Sequence, residues 1–197
     1  MLIIIGRSCS GKDTIARELQ RRGYYRYLTY TTRPQREGEP DDAYNFVSEP
    51  VFVDMICHDE FMEYKKYEVA DGSVWYYGSE WPGVNHSDNR NFMILTPQGY
   101  LDIKDKLPDG SYCIYIEANN KTILKRLKKR GDNREEADRR FKQDIKDFMK
   151  AYDIADHVFY NNDGADVEEV VDRIEDFLRT GRKQVRGIYP HDGYPHD

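Results

Sequence analysis

The sequence predicts an α/β fold in which a parallel sheet, flanked by helices, carries one β-rich insertion. Three observations predict it. The chain opens with a continuous apolar run, Leu2–Ile5, that stops at Gly6 and passes through a glycine-bearing loop into a helical pattern. An unbroken apolar run of this length suits a strand buried on both faces. In the second half of the chain, short apolar runs alternate with amphipathic stretches, the rhythm of parallel strands joined by crossover helices. Between these halves, a tyrosine-rich stretch is interrupted by Asp71-Gly72, the turn chemistry of a hairpin.

At 197 residues and 23.3 kDa, the chain is long enough for one domain with a large insertion and a proper core. Its net charge of −6 argues against a globally basic nucleic-acid binder, so no nucleic-acid partner is expected. No apolar run approaches the roughly 18 residues of a membrane span, and no membrane partner is expected. Met1-Leu2-Ile3-Ile4-Ile5 is too short for a signal peptide and lacks a charged leader. Cys9, Cys57 and Cys113 are scattered and odd in number, which suits reduced thiols in a cytoplasmic protein.

The elements follow in order. After Leu2–Ile5, Thr14–Arg22 places Ile15, Ala16 and Leu19 on one side of a helix that Gly23 stops. Thr31–Asn45 is a loop dense in Pro, Arg, Gly and acid. Phe61–Val69 and Val74–Tyr77 flank the hairpin turn, so the segment from Thr29 to Ser79 reads as the β-rich insertion. Phe92–Leu95 is a strand, and Thr96-Pro97 offers a helix N-cap with proline at the first position. Tyr112–Glu117 is a strand followed by a basic helix, Lys121–Arg130. Gly131–Arg134 breaks that helix, with Asp132 and Glu135 spaced as a capping box. A further helix carries Ala137, Phe141, Ile145, Phe148, Met149 and Tyr152. Val158–Tyr160 is the last strand, and Val167–Leu178 the last amphipathic helix. Two copies of Tyr-Pro-His-Asp, from Tyr189 and Tyr194, read as a polar tail.

Gly6-Arg7-Ser8-Cys9-Ser10-Gly11-Lys12-Asp13-Thr14 joins the first strand to the first helix. Glycines let the backbone wrap a phosphate, the helix N-terminus aims amides at it, and Lys12 would reach the β- and γ-phosphates. This is a nucleotide-binding phosphate loop. It departs from the usual pattern at Asp13, where a hydroxyl residue normally ligates magnesium. A carboxylate there would contact Mg²⁺ directly or through water.

A phosphate loop alone does not name a reaction. Arg33 and Arg36, three apart and stiffened by Pro34, form a fork suited to a dianionic phosphate. Taken by itself, an Arg/Pro/Glu stretch is more often a solvated loop. Here it belongs to a longer series: Thr-Thr-Arg-Pro-x-Arg-x-Gly-Glu, Tyr44-Asn-Phe-Val47, Tyr76-Tyr77-Gly78-Ser79, Arg126-Leu-Lys-Lys-Arg130-Gly131, Arg140 and Val158-Phe-Tyr-Asn161-Asn162. In that order, after a phosphate loop, the series resembles the guanylate kinase family over nearly all of residues 1–178.

The resemblance implies a P-loop NTPase core (1–28 and 80–180), an acceptor-nucleotide insertion (29–79), a helical lid (about 126–142) and a polar tail (181–197). It implies phosphoryl transfer from ATP, with Mg²⁺, to GMP or dGMP, by a monomer or homodimer. The residues from Gly6 to Thr14 and Asn161 would bind ATP. Arg33, Arg36, Tyr44 and Tyr77 would grip the acceptor phosphate, and Thr29, Glu63, Ser79 and Thr96 would face the acceptor nucleotide. Lys12, Arg126, Arg130 and Arg140 would serve catalysis, with Gly131 a hinge for the lid. Glu63 competes with Glu68 as the base-reading carboxylate. Glu63 is favoured because the Asp71-Gly72 hairpin reads as an insertion that lengthens the gap to Tyr77. The family's acidic residues on the strand before Gln98-Gly99 are replaced here by Ile94 and Thr96, and Asp13 would supply the missing carboxylate. Two alternatives stay open: another acceptor (a different deoxynucleotide or a phosphorylated ribose), or an inactive binding module that has lost those acids.

Overall fold

The computed structural model describes residues 1–69, 71–80, 90–130 and 134–181. Its core is a five-stranded sheet built around β1 (Leu2–Ile5), with β7 (Asn91–Ile94) and β2 (Tyr25–Tyr27) on one side and β8 (Tyr112–Glu117) and β9 (His157–Tyr160) on the other. Every pairing is parallel. The unbroken apolar run of β1 has its physical explanation here, because alternate residues feed opposite faces. Leu2 and Ile4 pack with Ile15, Ala16 and Leu19 of α1 (Lys12–Arg21) and with Val170, Val171, Ile174 and Phe177 of α7 (Val167–Thr180). Ile3 and Ile5 pack with Ile103, Tyr115, Phe148 and Ala151 on the other face. All four β1 side chains are fully buried, each contributing roughly 1.5–3 kcal/mol.

The insertion is a second sheet of order β4-β3-β6-β5, from β3 (Tyr30–Thr31), β4 (Asn45–Phe46), β5 (Phe61–Glu68) and β6 (Val74–Glu80). The predicted hairpin forms, with Asp71 Oδ1 accepting from the Ser73 amide at 2.9 Å to fix the turn. The sequence reading missed α2 (Glu49–Cys57), whose first turn carries Pro50 after Ser48. Only Phe52 and Met55 of this helix are buried. Val51 and Val53 stand exposed at 48% and 41%, which blurs the amphipathic pattern. Phe52 stacks on Phe61 with ring centroids 4.5 Å apart, fastening α2 to the insertion sheet.

Beyond β7, α3 (Pro97–Ile103) starts as predicted: Thr96 Oγ1 accepts from Gly99 N–H at 3.0 Å. The helices α4 (Asn120–Arg130) and α5 (Arg134–Asp147) follow β8. The single helix expected to run from Ala137 to Tyr152 is instead divided. It ends at Asp147, turns through Phe148–Lys150 and resumes as α6 (Ala151–Ile154). At Met149 the backbone bond shortens from four residues to three, accepting at Lys146 O, and the side chain is 69% exposed. The turn lets Phe148 lie 5.8 Å from the Tyr115 ring, and Ala151 joins it in the core. Gly131 and Asp132 of the expected hinge and capping box, and the Tyr-Pro-His-Asp tail, lie outside the described residues. No helix among the described residues is long and apolar enough to cross a membrane.

Candidate active site

The phosphate loop leaves β1 at Gly6 and enters α1 at Lys12. Two of its glycines are dictated by space. A Cβ on Gly6 would meet Ser10 Oγ at 2.7 Å and Ile116 O at 2.8 Å. Gly11 sits at φ +97°, and a Cβ there would fall 2.1 Å from Asn161 Nδ2. Behind the loop, its carbonyls are taken up by side chains. Asn161 Nδ2 donates to Ser10 O at 2.8 Å, and Arg126 Nη1 donates to Cys9 O and Ser10 O, both at 3.1 Å. These bonds fix the loop's carbonyls. One loop amide faces a carboxylate, Ser8 N–H donating to Asp144 Oδ2 at 2.6 Å.

Several expected nucleotide ligands have side chains that lie outside the cleft lining. The Arg7 side chain is buried and points away from the cleft, donating to Glu117 at 3.0 Å, Asn120 at 2.7 Å and the Ala118 carbonyl at 2.6 Å. Its carbonyl receives Lys12 Nζ at 2.8 Å. Arg126 and Asn161 brace the loop from behind, Ser10 is fully buried and Thr14 is exposed. None of these side chains lines the cleft. Lys12 does, and burial pulls its ammonium pKa down while Asp13 and Asp144 oppose that shift.

A cavity of about 230 Å³ lies between the loop and the insertion. From the loop side come Gly6, Ser8, Cys9, Lys12 and Asp13; from the insertion, Thr29, Arg33, Arg36, Tyr44, Glu63 and Tyr77; from the helical segment, Arg130 and Arg140. Thr96 and Ile94 lie between them at the end of β7. The cleft thus gathers Lys12, the arginine fork, both tyrosines and the favoured carboxylate. Sequence reading missed Arg139, Asp144 and Asp147, which line it from α5, and Lys65, Tyr67 and Trp75, which line it from the hairpin. The period-2 alternation of Glu63, Lys65 and Tyr67 was the available signal for the hairpin residues.

The fork is held rigid. Arg33 Nη1 and Nη2 donate to the two Glu39 carboxylate oxygens at 3.0 and 2.7 Å, and its guanidinium lies 5.4 Å from the Tyr44 ring centroid and 5.5 Å from that of Phe46. Tyr44 and Tyr77 meet edge-on at 6.0 Å. Burial pushes the Tyr44 hydroxyl pKa up to about 12, so it stays a hydrogen-bond donor at neutral pH. At the other end of the cavity, Ser79 Oγ donates to Glu63 Oε1 at 2.7 Å. Ser79 is fully buried and acts through that bond. Burial raises the Glu63 pKa, while Ser79 and Lys65 counter it. Glu68 is exposed opposite Val74 at the far end of the hairpin, away from the cavity. On α5, Arg140 Nε donates to Glu136 Oε1 at 2.6 Å, and its guanidinium lies 5.5 Å from the Trp75 ring centroid.

Magnesium prefers oxygen ligands, keeps several waters and is held through one or two carboxylates plus substrate phosphates. The cavity supplies such donors in Asp13 and Asp144, whose charges both act on Lys12. No group of three metal-ligating side chains occurs among the described residues. Asp13 Oδ1 lies 3.5 Å from Arg26, with its side chain 60% exposed at the cavity rim.

A phosphate loop on a parallel sheet, facing an arginine–tyrosine fork and a recessed carboxylate across one cleft, defines a P-loop kinase of the nucleoside monophosphate class. The chain belongs to the guanylate kinase family, whose model matches residues 1–181. It is 31% identical to a guanylate kinase of Prochlorococcus marinus subsp. pastoris, over 91% of this chain and 97% of that one. It is 33% identical to the guanylate kinase of Caldanaerobacter subterraneus subsp. tengcongensis, over 88% and 84%. The crystal structure of guanylate kinase from Anaplasma phagocytophilum has the same fold, with a TM-score of 0.64 at 22% identity, covering 92% of this chain and 85% of that one.

Proposed function

We propose that the protein transfers the γ-phosphoryl group of ATP to GMP or dGMP, giving ADP and GDP or dGDP. One observation carries this reading: the phosphate loop, the arginine fork and the Glu63–Ser79 pair line or support a single cleft. The loop amides and Lys12 hold the donor's β- and γ-phosphates. Arg33, Arg36, Tyr44 and Tyr77 orient the acceptor phosphate so that its oxygen faces the donor in line. Arg130, Arg139 and Arg140 neutralise charge building on the transferred group. Asp13 and Asp144 are the carboxylates that would hold a magnesium ion arriving with the nucleotide, which would add positive charge at the phosphates. Glu63 accepts from guanine N1–H and the N2 amino group, a donor pair that adenine does not offer on that edge. Approach of the α5 arginines Arg139 and Arg140 over both ligands would exclude water, so that the acceptor attacks in place of solvent.

The test is ADP release from Mg·ATP across GMP, dGMP, AMP, dTMP, CMP, UMP and ribose 1,5-bisphosphate. Rapid turnover confined to GMP and dGMP is expected. A different preferred acceptor would overturn the role of Glu63. ATP binding with no turnover on any acceptor would overturn catalysis and favour a binding module.

A further inference from the structure

Glu63 meets only half of a guanine's hydrogen-bonding face. The base also carries O6 and N7, and an acceptor left without a donor in a desolvated site is costly. Of the neutral hydroxyls near Glu63, Ser79 and Thr29 turn their protons to protein oxygens, while Thr96 is engaged only as an acceptor and keeps its O–H to donate. Ser79 Oγ donates to Glu63 at 2.7 Å, Thr96 Oγ1 accepts the α3 cap bond at 3.0 Å, and Thr29 Oγ1 reaches the Ile94 carbonyl at 3.5 Å. Lys65 differs. It follows Glu63 by two residues on the same face of β5, pairs across the hairpin with Tyr77, and lines the same cavity. Among the described residues its ammonium makes no hydrogen bond or ion pair. Of the charged side chains whose field reaches Glu63, Lys65 on β5 is the cation and Asp102 on α3 the anion.

We propose that Lys65 donates to the O6/N7 edge of the acceptor guanine, so that Glu63 and Lys65 together read the base from two sides. The inference rests on the guanine acceptor proposed above. A lysine ammonium suits these two acceptors, which lie close together on one edge of the base and which adenine replaces with a donor beside N7. Lys65 is therefore a specificity residue for the acceptor base.

The experiment compares kcat/KM of the wild type, Lys65→Met and Lys65→Arg on GMP, 6-thio-GMP and 7-deaza-GMP, the analogues weakening or removing one acceptor each. Lys65→Met should lose roughly 5- to 150-fold on GMP, mostly through KM. That loss should shrink sharply on whichever analogue lacks the contacted atom, and Lys65→Arg should recover most of it. The preference for GMP over IMP, set by Glu63, should stay unchanged. An equal loss on all three nucleotides, or no loss on GMP, overturns the role of Lys65 while the guanine reading stands. Failure of the wild type to use GMP overturns that underlying reading instead.

Discussion

Replacing Glu39 by glutamine tests whether the acceptor fork is held by an internal counter-ion. The Arg33 side chain is 2% exposed and that of Glu39 13%. The carboxylate makes two charge-assisted bonds to Arg33, and Oε2 also accepts from the Arg36 amide at 3.0 Å. Glu39→Gln keeps the shape and one oxygen acceptor but leaves a buried guanidinium without its countercharge. Breaking a buried pair in this way costs about 3–5 kcal/mol, and the retained oxygen places the expected loss near the lower figure. For a chain of this size that corresponds to a melting temperature lower by roughly 6–12 °C. GMP supplies a replacement dianion, so saturating GMP should raise the variant's melting temperature by more than the wild type's. The sign with pH follows from Glu39. Burial alone would raise its pKa, but Arg33 and the Arg36 amide outweigh that and hold it below the ordinary 4.5. A depressed carboxylate contributes stability that is present above pH 4.5 and lost as pH falls through the folded value. The variant should lack that acid limb. Thermal melts between pH 3 and 8, with and without GMP, decide the matter. A variant melting within about 2 °C of the wild type, with an equal GMP shift, would refute the reasoning.

Three further outcomes are expected. Gly11→Ala should drive Asn161 from the Ser10 carbonyl, costing about 2–4 kcal/mol in urea unfolding and abolishing ADP binding by calorimetry; intact binding would refute it. Glu63→Gln should lower kcat/KM for GMP by about 100-fold or more. Because Glu63 reads guanine when ionised and burial raises its pKa above 4.5, wild-type kcat/KM for GMP should fall with acidification through that raised value, a limb the glutamine variant lacks. Asp13→Ala, which leaves no oxygen ligand at that position, should raise the half-saturating Mg²⁺ concentration about tenfold, and an unchanged titration would count against a metal role for Asp13.

What the sequence disclosed depended on how local the cause was. The β1–loop–α1 unit, the cap at Thr96 and the Asp71-Gly72 hairpin were legible because each follows from adjacent residues. Glu63 lies in the cleft and Glu68 at the hairpin's outer end, a separation set by their positions along one strand. Long-range partnerships were not legible. Nothing local tells that Arg7 is spent on Glu117, 110 residues away, or that Asp144 reaches the Ser8 amide, 136 residues away. β2 escaped notice because its burial pattern mixes exposed Tyr25 with buried Arg26, and it becomes a strand only by pairing with β7. The division at Phe148–Lys150 was hidden because Met149 continued the apolar spacing while its side chain faces solvent.

The central place of β1 also bears on how the chain is made. Residues Leu2–Ile5 leave the ribosome before either neighbour, yet they pair with Phe92–Ile94 and Tyr112–Tyr115. At about 5–20 residues per second, the wait for those partners is on the order of 5–20 s. Throughout it, a fully apolar segment has no sheet to enter, and the phosphate loop that grows from it has no fixed base. The hydrophobic strand at the centre of the finished enzyme is thus a part of the nascent chain in need of shelter, and nucleotide binding can begin only after its partner strands through Tyr115 have been made.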